Sequence, residues 1–287
     1  MAKILGLGVA TLDVINTVDH YPLEDQKLRA ISRQIKRGGN AANTLVILGQ
    51  LNHQCSFAGV LAESSDSAFI HSDFDKYNID TTYCPVSSGS TPASYITLNE
   101  QNASRTIVHH RDLREYNFDD FLKIDLQQFD WLHFEGRAID ETYKMLSHVK
   151  KNFPGIPVSL EVEKPRGNIE SLFDFADTLF FSQSYASHLD FDDAESFIVH
   201  IHQKIKTKNI ICTWGNKPTI AISKEDELVR SQTWPPAKLV DTIAAGDTFN
   251  AGFIDASLRK SPFSQALESA NKLAGRKCGQ MDLELTG

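Results

Sequence analysis

Cysteine is scarce in this sequence of 287 residues, and no apolar run is long. No stretch approaches the roughly 20 apolar residues of a membrane-spanning helix. The start, Met1-Ala2-Lys3 before a short apolar run, lacks the pattern of a signal peptide. The four cysteines form no CxxC pair and are widely spaced, at Cys55, Cys84, Cys212 and Cys278. The sequence therefore predicts reduced thiols in a cytoplasmic protein.

Positive charge is also in deficit. The 29 lysines and arginines are outnumbered by 37 acidic residues, which gives a formal net charge of −8. A protein that binds nucleic acid without sequence preference depends on basic patches, so this class of function is disfavoured. A small anionic ligand is still compatible with the charge, because local N–H groups can override the global balance.

Three further binding patterns are missing or incomplete. The sequence has no GxxxxGK[ST] motif, which excludes a Walker-type P-loop. Gly6-Leu7-Gly8 follows the first apolar run, but Thr11 stands where the dinucleotide fingerprint needs glycine, which disfavours a dinucleotide-dependent oxidoreductase. None of the ten histidines has the spacing of metal ligands, so no structural zinc site is expected.

Short apolar runs recur along the chain and predict strands, at residues 4–9, 55–60, 131–134, 158–162, 178–181, 210–214 and 219–222. Amphipathic stretches between or after them predict helices, at residues 40–51, 141–151, 194–206 and 242–258, and a last helix that opens at Ser261-Pro262. Strands that alternate with helices indicate a mainly parallel sheet covered on both faces, which is an α/β fold.

Two segments break this alternation. Residues 28–37 have the pattern of a half-exposed strand, and residues 94–98 and 105–109 flank a polar turn at 99–104, which predicts a hairpin. Together these pieces predict a small accessory sheet that projects from the α/β body.

The most informative run is Asp241-Thr-Ile-Ala-Ala-Gly-Asp247, at the start of a predicted helix. Small residues leave the first N–H groups of the helix uncovered, and such groups bind phosphate or a developing anion. Asp247 lies within the first turn, where the helix dipole favours its carboxylate form and makes it a weak base. The alternative interpretation is an aspartate that only stabilises the helix start.

A second run is Arg37-Gly38-Gly39-Asn40-Ala-Ala-Asn43. Gly39 allows another group to approach the backbone. Asn40 and Asn43 lie on one side of a helix start, with Asn40 as the expected N-cap, and their amides suit a polyhydroxylated ligand. A turn followed by a capped helix is the simpler alternative.

Charged residues also end one strand that should be interior, at Glu161, Glu163 and Lys164. Charges there are costly unless they are paired or functional, so the segment predicts either a structural ion pair or part of a site.

Together the two runs resemble the signatures of the ribokinase-like (phosphofructokinase-B type) carbohydrate kinases. Within that family the sequence is most similar to the ketohexokinase branch, through pieces that extend over almost the whole chain, such as Glu161-Val-Glu-Lys-Pro-Arg166, Trp131-Leu-His-Phe-Glu-Gly-Arg137 and Lys277-Cys-Gly279. The resemblance implies a single domain, 1–287, built as a three-layer α/β/α sandwich with a small β lid at about 14–37 and 91–110. It also implies a homodimer whose lids clasp each other.

The resemblance assigns roles to two groups of residues. Asp247 would be the general base, Ala245, Gly246 and Asp247 would supply N–H groups to the transferring phosphoryl, and Arg105 would meet the phosphate from the lid. The residues implied to bind sugar hydroxyls are Asp13, Gly39, Asn40 and Asn43.

For the nucleotide, the resemblance implies ATP accompanied by Mg²⁺, with a monovalent cation as a further option. The implied ATP-binding residues are Trp214, Gly215, Pro235, Pro236, Ala244 and Asn271. Most of the Mg²⁺ ligands would come from the phosphates, with Glu163 as a weak candidate, because Ser182-Gln-Ser-Tyr185 stands where an Asn-x-x-Glu motif is usual.

Three departures from the family pattern bear on the nucleotide pocket. Ala244 stands where many members have glycine, and one methyl group is tolerable there if the residue is not left-handed. Pro218 occupies the place of a common loop glycine, and the tail from Met281 onward is atypical and could alter the adenine pocket.

The predicted function is an ATP-dependent kinase for a primary hydroxyl of a ketohexose, most simply fructose to fructose 1-phosphate. The alternatives are a kinase for another furanose (ribose, a nucleoside or a modified ketose) and a catalytically silent sugar-binding regulator on the same fold.

Overall fold

Strands and helices alternate along most of the chain in the computed structural model, which describes residues 1–102, 104–206 and 208–285. The strands are β1 Lys3–Leu7, β2 Thr11–Val18, β3 Ser32–Gly38, β4 Gln54–Ala58, β5 Leu61–Ala62, β6 Ile79–Asp80, β7 Val86–Ser87, β8 Ala93–Asn99, β9 Arg105–His110, β10 Trp131–Glu135, β11 Val158–Val162, β12 Thr178–Ser182, β13 Asn209–Trp214, β14 Lys217–Ile222 and β15 Leu228–Ser231. The α-helices are α1 Asn40–Gln50, α2 Ser65–Lys76, α3 Phe118–Phe121, α4 Ile139–Asn152, α5 Gln183–His188, α6 Ala194–Lys204, α7 Ala245–Leu258 and α8 Phe263–Cys278, and 3₁₀ turns cover Leu126–Gln128 and Ile169–Phe175.

The central sheet has the strand order β15-β14-β13-β12-β11-β10-β1-β4-β6. Its strands run parallel from β13 to β6, and β14 and β15 extend it as antiparallel strands. Successive side chains of β10 point to opposite faces: Leu132 and Phe134 enter one hydrophobic cluster and Trp131 the other. Helices α4 and α6 cover the first face, and α1, α7 and α8 cover the second. The predicted three-layer α/β/α sandwich is confirmed.

The second sheet has the strand order β3-β2-β8-β9. Strands β2 and β3 pair antiparallel, β2 and β8 parallel, and β8 and β9 antiparallel, so the predicted hairpin is present. Ala103, within the predicted turn of that hairpin, lies outside the described residues. Strand β2 begins at Thr11, three residues before the expected start of the lid at 14, and follows directly from β1 through the short segment 8–10. The lid is therefore joined by continuous backbone to the centre of the main sheet.

Three helix starts differ from the sequence-based expectation. Helix α1 has Gly39 as its N-cap rather than Asn40, and α8 is capped by Pro262 rather than Ser261. Helix α7 begins at Ala245, not at Thr242, because Ala244 takes a left-handed conformation with φ 59° and ψ 19°. A left-handed residue cannot continue a helix, so residues 241–244 form a separate loop.

The C-terminal segment contacts α1, α2 and the lid. Gln50 of α1 donates to the Leu283 carbonyl at 2.7 Å and accepts from the Leu285 N–H at 2.8 Å. Glu284 pairs with Lys76 of α2, and Asp282 with Lys36 of β3. Asp282, Leu283 and Glu284 also line, together with Ala244, a second cavity of about 490 Å³, so an effect of the tail on the nucleotide pocket stays a prediction. Thr286 and Gly287 lie outside the described residues. Within the described part of the chain, none of the helices combines the length and the apolar character that a bilayer crossing requires.

Candidate active site

A cavity of about 640 Å³ lies at the carboxyl ends of the central strands, between the lid and the starts of α1 and α7. The catalytic and sugar-binding residues proposed from the sequence all line it: Asp13, Gly39, Asn40, Asn43, Arg105, Ala245, Gly246 and Asp247. The fold therefore brings together groups that are up to 234 residues apart in the chain, from Asp13 to Asp247.

Asp247 lies in the first turn of α7, where the helix meets α1. It is 6% exposed, and its Oδ2 accepts a hydrogen bond from the Asn43 side chain at 2.7 Å. Thr44 donates to its backbone carbonyl at 3.2 Å. Nearby, the Ala245 N–H donates to the Thr242 carbonyl at 3.3 Å, so this one of the three expected phosphoryl donors already has an acceptor.

Burial raises the pKa of the Asp247 carboxyl well above that of an ordinary aspartate. The hydrogen bond from Asn43 opposes this shift, whereas the negative charges of Glu163 and Glu135 add to it. The expectation that the helix start makes Asp247 a weak base is therefore wrong. The helix dipole contributes at most about 2 kcal/mol, and removing the carboxylate from water next to other carboxylates outweighs it.

The start of α1 supplies two amides. Gly39 has φ 105°, and a Cβ there would lie 1.9 Å from the Val9 carbonyl oxygen, so only glycine fits. The Asn40 side chain donates to Glu161 and to Glu163, both at 3.0 Å. The side-chain Oδ1 of Asn43 accepts from Arg37 at 2.8 Å, while its side-chain Nδ2 donates to Asp247, so Asn43 orients the Asp247 carboxyl group.

Two glutamates lie side by side in the site: Glu161, at the strand end that the sequence analysis assigned to an ion pair or a site, and Glu135, which it did not consider. Glu135 and Glu161 are register partners on β10 and β11. Glu135 accepts from the Val9 N–H and from Arg137, both at 3.1 Å. Glu161 is 7% exposed, and burial together with the charge of Asp247 raises its pKa. Their position at the carboxyl ends of adjacent parallel strands is the signal that could have identified both.

The structural ion pair considered for this strand end is only partly present. Lys164 Nζ lies 3.8 Å from Glu163, and both side chains are largely exposed. In the described residues, Oε2 of Glu161 has no hydrogen-bond partner, so this carboxyl group is not part of an ion pair that could offset its burial.

Arginine and histidine side chains line the lid side of the cavity, and burial lowers the pKa of His109, which favours its neutral form. Arg105 is exposed on β9, and His109 lies two pleats further along the same strand, 3.2 Å from the Ser94 hydroxyl. Arg137 is locked by Glu135 and by Glu115, at 2.9–3.1 Å. Burial alone would raise the pKa of Glu115, but hydrogen bonds from Arg137 and Arg111 lower it to about 2. The site thus combines an acidic floor with a basic rim.

Of the six residues expected to bind ATP, the structure places only Ala244 on the wall of this cavity. Trp214 is 4% exposed and packs in the hydrophobic core. Asn271 is buried and engaged by Thr219 and Ser231 at 2.9–3.0 Å. Gly215 turns between β13 and β14 with φ 57°, Pro218 follows within β14, and Pro235 and Pro236 lie between β15 and α7.

Ala244 is left-handed, so the condition under which its methyl group would be tolerated without strain is not met. Left-handed geometry costs an alanine about 1–2 kcal/mol.

The described residues contain no group of three or more side chains that could form a metal cage. Glu163 is the exposed carboxylate of the site, and one of its oxygens accepts from Asn40. This arrangement fits a divalent cation that arrives with its own phosphate ligands, to which Glu163 would add one oxygen.

Comparison with known proteins agrees with this site. The family model "pfkB family carbohydrate kinase" matches residues 1–284. The chain is 36% identical to ketohexokinase of Mus musculus over 286 residues, which is 96% of each protein. It is 24% identical to a fructosamine kinase of Bacillus subtilis, over 92% of this chain and 88% of the relative. The solved structure of Arabidopsis thaliana ribokinase complexed with ribose and ATP has a TM-score of 0.81 at 20% identity, and the match covers 98% of this chain and 94% of that one. The chain therefore belongs to the pfkB family of carbohydrate kinases and is a phosphotransferase that acts on a sugar.

Proposed function

We propose that this kinase transfers the γ-phosphate of ATP to the C1 hydroxyl of a ketohexose, fructose above all. The observation that carries the proposal is the environment of Asp247: a buried carboxyl group of raised pKa, held by Asn43, at a helix start that faces a cavity with room for a sugar and a phosphoryl group. The 36% identity to a ketohexokinase over nearly the whole chain supports the choice of sugar.

Asp247 acts as the general base. Its carboxylate takes the proton from the attacking sugar hydroxyl, the hydroxyl oxygen forms a bond to the γ-phosphorus, and the bond to the bridging oxygen of ADP breaks. A raised pKa makes this carboxylate a better proton acceptor than an ordinary aspartate. Positioning and charge stabilisation supply most of the rate in such transfers.

The N–H groups of Ala245, Gly246 and Asp247 stabilise the transferring phosphoryl, with the dipole of α7 behind them. Ala245 must release its bond to Thr242 to take part, and the length of that bond, 3.3 Å, makes this exchange inexpensive. Arg105 reaches the same group from the lid.

The sugar lies between the lid and the start of α1. Asp13, on lid strand β2, binds hydroxyl groups from one side, with its Oδ1 oriented by Thr11 at 2.9 Å. Gly39, Asn40 and Asn43 bind from the other side, at the start of α1. A bidentate carboxylate facing amides is suited to adjacent hydroxyl groups.

Nucleotide binding is proposed along the loop 241–244 toward Gly215, Pro235, Pro236 and Asn271, with Trp214 supporting the turn from the core. Mg²⁺ would be held by the phosphates and by Glu163, and would neutralise charge on the phosphoryl oxygens.

A second copy of the chain is the proposed partner: the edge strand β9 is exposed along its whole length, with Ile107 48% and Val108 65% exposed. The cytoplasm is the proposed compartment, because Mg-ATP is available there.

The test is ADP production with Mg-ATP against fructose, tagatose, ribose, glucose and adenosine, followed by identification of the phosphorylated carbon. Fast turnover of fructose with the product phosphorylated at C1 is expected. A clear preference for adenosine or ribose would favour a kinase for another furanose. No turnover, with heat stability raised by one sugar, would favour a silent sugar-binding regulator.

A further inference from the structure

A buried ammonium group lies beneath the loop that leads into α7. Lys277, in the last turn of α8, has a side chain only 1% exposed. Its Nζ donates to the backbone carbonyl of Asp241 at 2.9 Å and lies 3.0 Å from the Oδ2 of the same residue. Both acceptors belong to the first residue of the loop, so one cation holds the loop by its main chain and its side chain.

The C-terminal end of α8 makes further hydrogen bonds to this loop. The Cys278 carbonyl accepts from the Val240 N–H at 2.8 Å and from the Asp241 N–H at 3.3 Å. The other oxygen of the Asp241 carboxylate accepts from the Ile243 N–H at 2.9 Å. These contacts hold Val240 and Asp241 against α8 and tie Ile243 to Asp241.

At its other end the loop is held by α7, because the Ala244 carbonyl accepts from the Thr248 N–H at 2.9 Å and from the Thr248 hydroxyl at 2.8 Å. It separates the main cavity from a second cavity of about 490 Å³, and Ile243 and Ala244 line both. It ends at the left-handed Ala244, and the N–H groups of Ala245, Gly246 and Asp247 follow at once. A strained residue such as Ala244 persists only where the surrounding structure holds its backbone in place. The contacts of Lys277 with Asp241 restrain the same loop by charge.

The donor set around Nζ is chemically informative. A backbone carbonyl oxygen and a carboxylate oxygen that converge on one buried point are ligands that a monovalent metal ion also takes. Here the chain supplies the positive charge itself. A second ammonium, that of Lys36, lies 4.0 Å from the same Asp241 oxygen, which further reduces any requirement for an added cation.

We propose that Lys277 is a positioning residue that acts as a built-in cation: its ammonium fixes the 241–244 loop, and through it the phosphoryl-binding N–H groups, so that no free monovalent cation is needed. The proposal rests on the proposed kinase function for its kinetic readouts. It disagrees with the option of a monovalent cation raised by the family resemblance, because the oxygens that could hold one are already occupied by Nζ.

The experiment compares wild type with Lys277→Met and Lys277→Arg in a buffer whose only small cations are tetramethylammonium and Mg²⁺, and then titrates KCl or NH4Cl at constant ionic strength. Wild-type kcat is expected to stay within about twofold. Lys277→Met is expected to lose about 10²-fold in kcat, the scale of a misplaced anion-binding group, and to regain part of it with NH4⁺ or K⁺. Sugar affinity, measured by calorimetry, is expected to be unchanged, because, within the described part of the chain, the proposed sugar-binding residues make no hydrogen bond or ion pair with Lys277 or Asp241.

Lys208→Met is the matched control. Lys208 is also a buried lysine whose Nζ donates to a backbone carbonyl, that of Asp174 at 3.0 Å, and it does not line either cavity. It is expected to lose thermal stability but to keep its turnover and its indifference to K⁺. An equal loss of kcat in both variants would reduce Lys277 to a structural role and overturn the proposal.

Two further measurements keep the proposal testable if Lys277→Met folds poorly or if no sugar is turned over. The double variant Lys277→Met/Asp241→Asn removes both charges, so it is expected to fold yet to remain slow; wild-type turnover in it would overturn the proposal. A specific rise in melting temperature with K⁺ is expected for Lys277→Met and not for wild type. The same rise in wild type would show a free cation site and would overturn the proposal independently of activity.

Discussion

Replacing Asp247 with asparagine should damage catalysis and stabilise the fold at the same time. The variant keeps the size of the side chain and an oxygen that can accept from Asn43, at present 2.7 Å away. It removes the proton acceptor, and loss of a general base costs about 10²- to 10⁴-fold in kcat. Sugar affinity should change little, because Asp13 and Asn40 are retained.

The stability gain follows from the raised pKa. Below the ordinary value of 3.8, Asp247 is protonated in both folded and unfolded chains and its burial has no electrostatic cost. As the pH rises toward the raised folded-state pKa, the unfolded chain loses this proton first, so the wild type loses stability. At about 1.36 kcal/mol for each pH unit above 3.8, the loss is about 1.6 kcal/mol at pH 5. Asparagine does not ionise and therefore has no such loss. The difference in free energy of unfolding between Asp247→Asn and wild type should grow with pH and level off above the folded-state pKa.

The assay is urea unfolding of both proteins from pH 4 to pH 8, together with steady-state ADP production. Asp255→Asn is the control, because Asp255 is buried on the same helix but pairs with Arg259 and His53 outside the cavity. That variant should lose stability and keep kcat. A stability difference for Asp247→Asn that is negative or does not vary with pH would refute the account of a buried, poorly compensated carboxylate, and a loss in kcat below tenfold would refute its role as base.

Four other substitutions have defined outcomes. Ala244→Gly should relieve the left-handed strain and raise the free energy of unfolding by about 1 kcal/mol in urea titrations. Ala138→Gly, at the left-handed N-cap of α4 with φ 43°, should gain a similar amount without any change in the KM for ATP; no gain in either variant would argue against strain. Arg105→Ala should lower kcat/KM by about 10²-fold with sugar affinity retained, and an equal loss of sugar affinity would place Arg105 on the sugar instead. His133→Asn should remove a pH effect: burial lowers the pKa of His133 to about 3, so wild type loses stability as the pH falls from 6.5 toward 3. By pH 5 that loss is about 2 kcal/mol, and the same slope in the variant would contradict it.

The strands of the central sheet were predictable because burial on both faces leaves an apolar run in the sequence. Strand β11 was predicted with its bounds, 158–162, and most other central strands to within two residues. Strand β2 was missed as a strand, because Asp13 and Asn16 interrupt any strict alternation and its burial comes from the lid and from α2. The start of α7 was set three residues too early, since no local pattern reveals the left-handed Ala244.

The protonation behaviour of the site residues was harder to predict than which residues line the cavity. The proposed sugar-binding and catalytic residues do line one cavity, because two local motifs meet where α1 packs on α7. The direction of the Asp247 pKa was predicted incorrectly, because it depends on burial and on the nearby charges of Glu163 and Glu135, and distant parts of the chain supply both. Trp214 illustrates the same limit on the nucleotide side: the direction of its side chain depends on the turn between β13 and β14, which brings it into the core.

The contact between Asn43 and Asp247 joins residues 204 positions apart, and it has a consequence for protein synthesis. The elements that carry Asp13, Gly39 and Asn40 leave the ribosome early, and β1 can pair with β4 soon afterwards. The Asp247 carboxyl group follows Asn43 by 204 residues, and Lys277 comes about 30 residues later still. A nascent chain can therefore assemble half of a sugar pocket, but it has no means of using ATP until α7 has been synthesised.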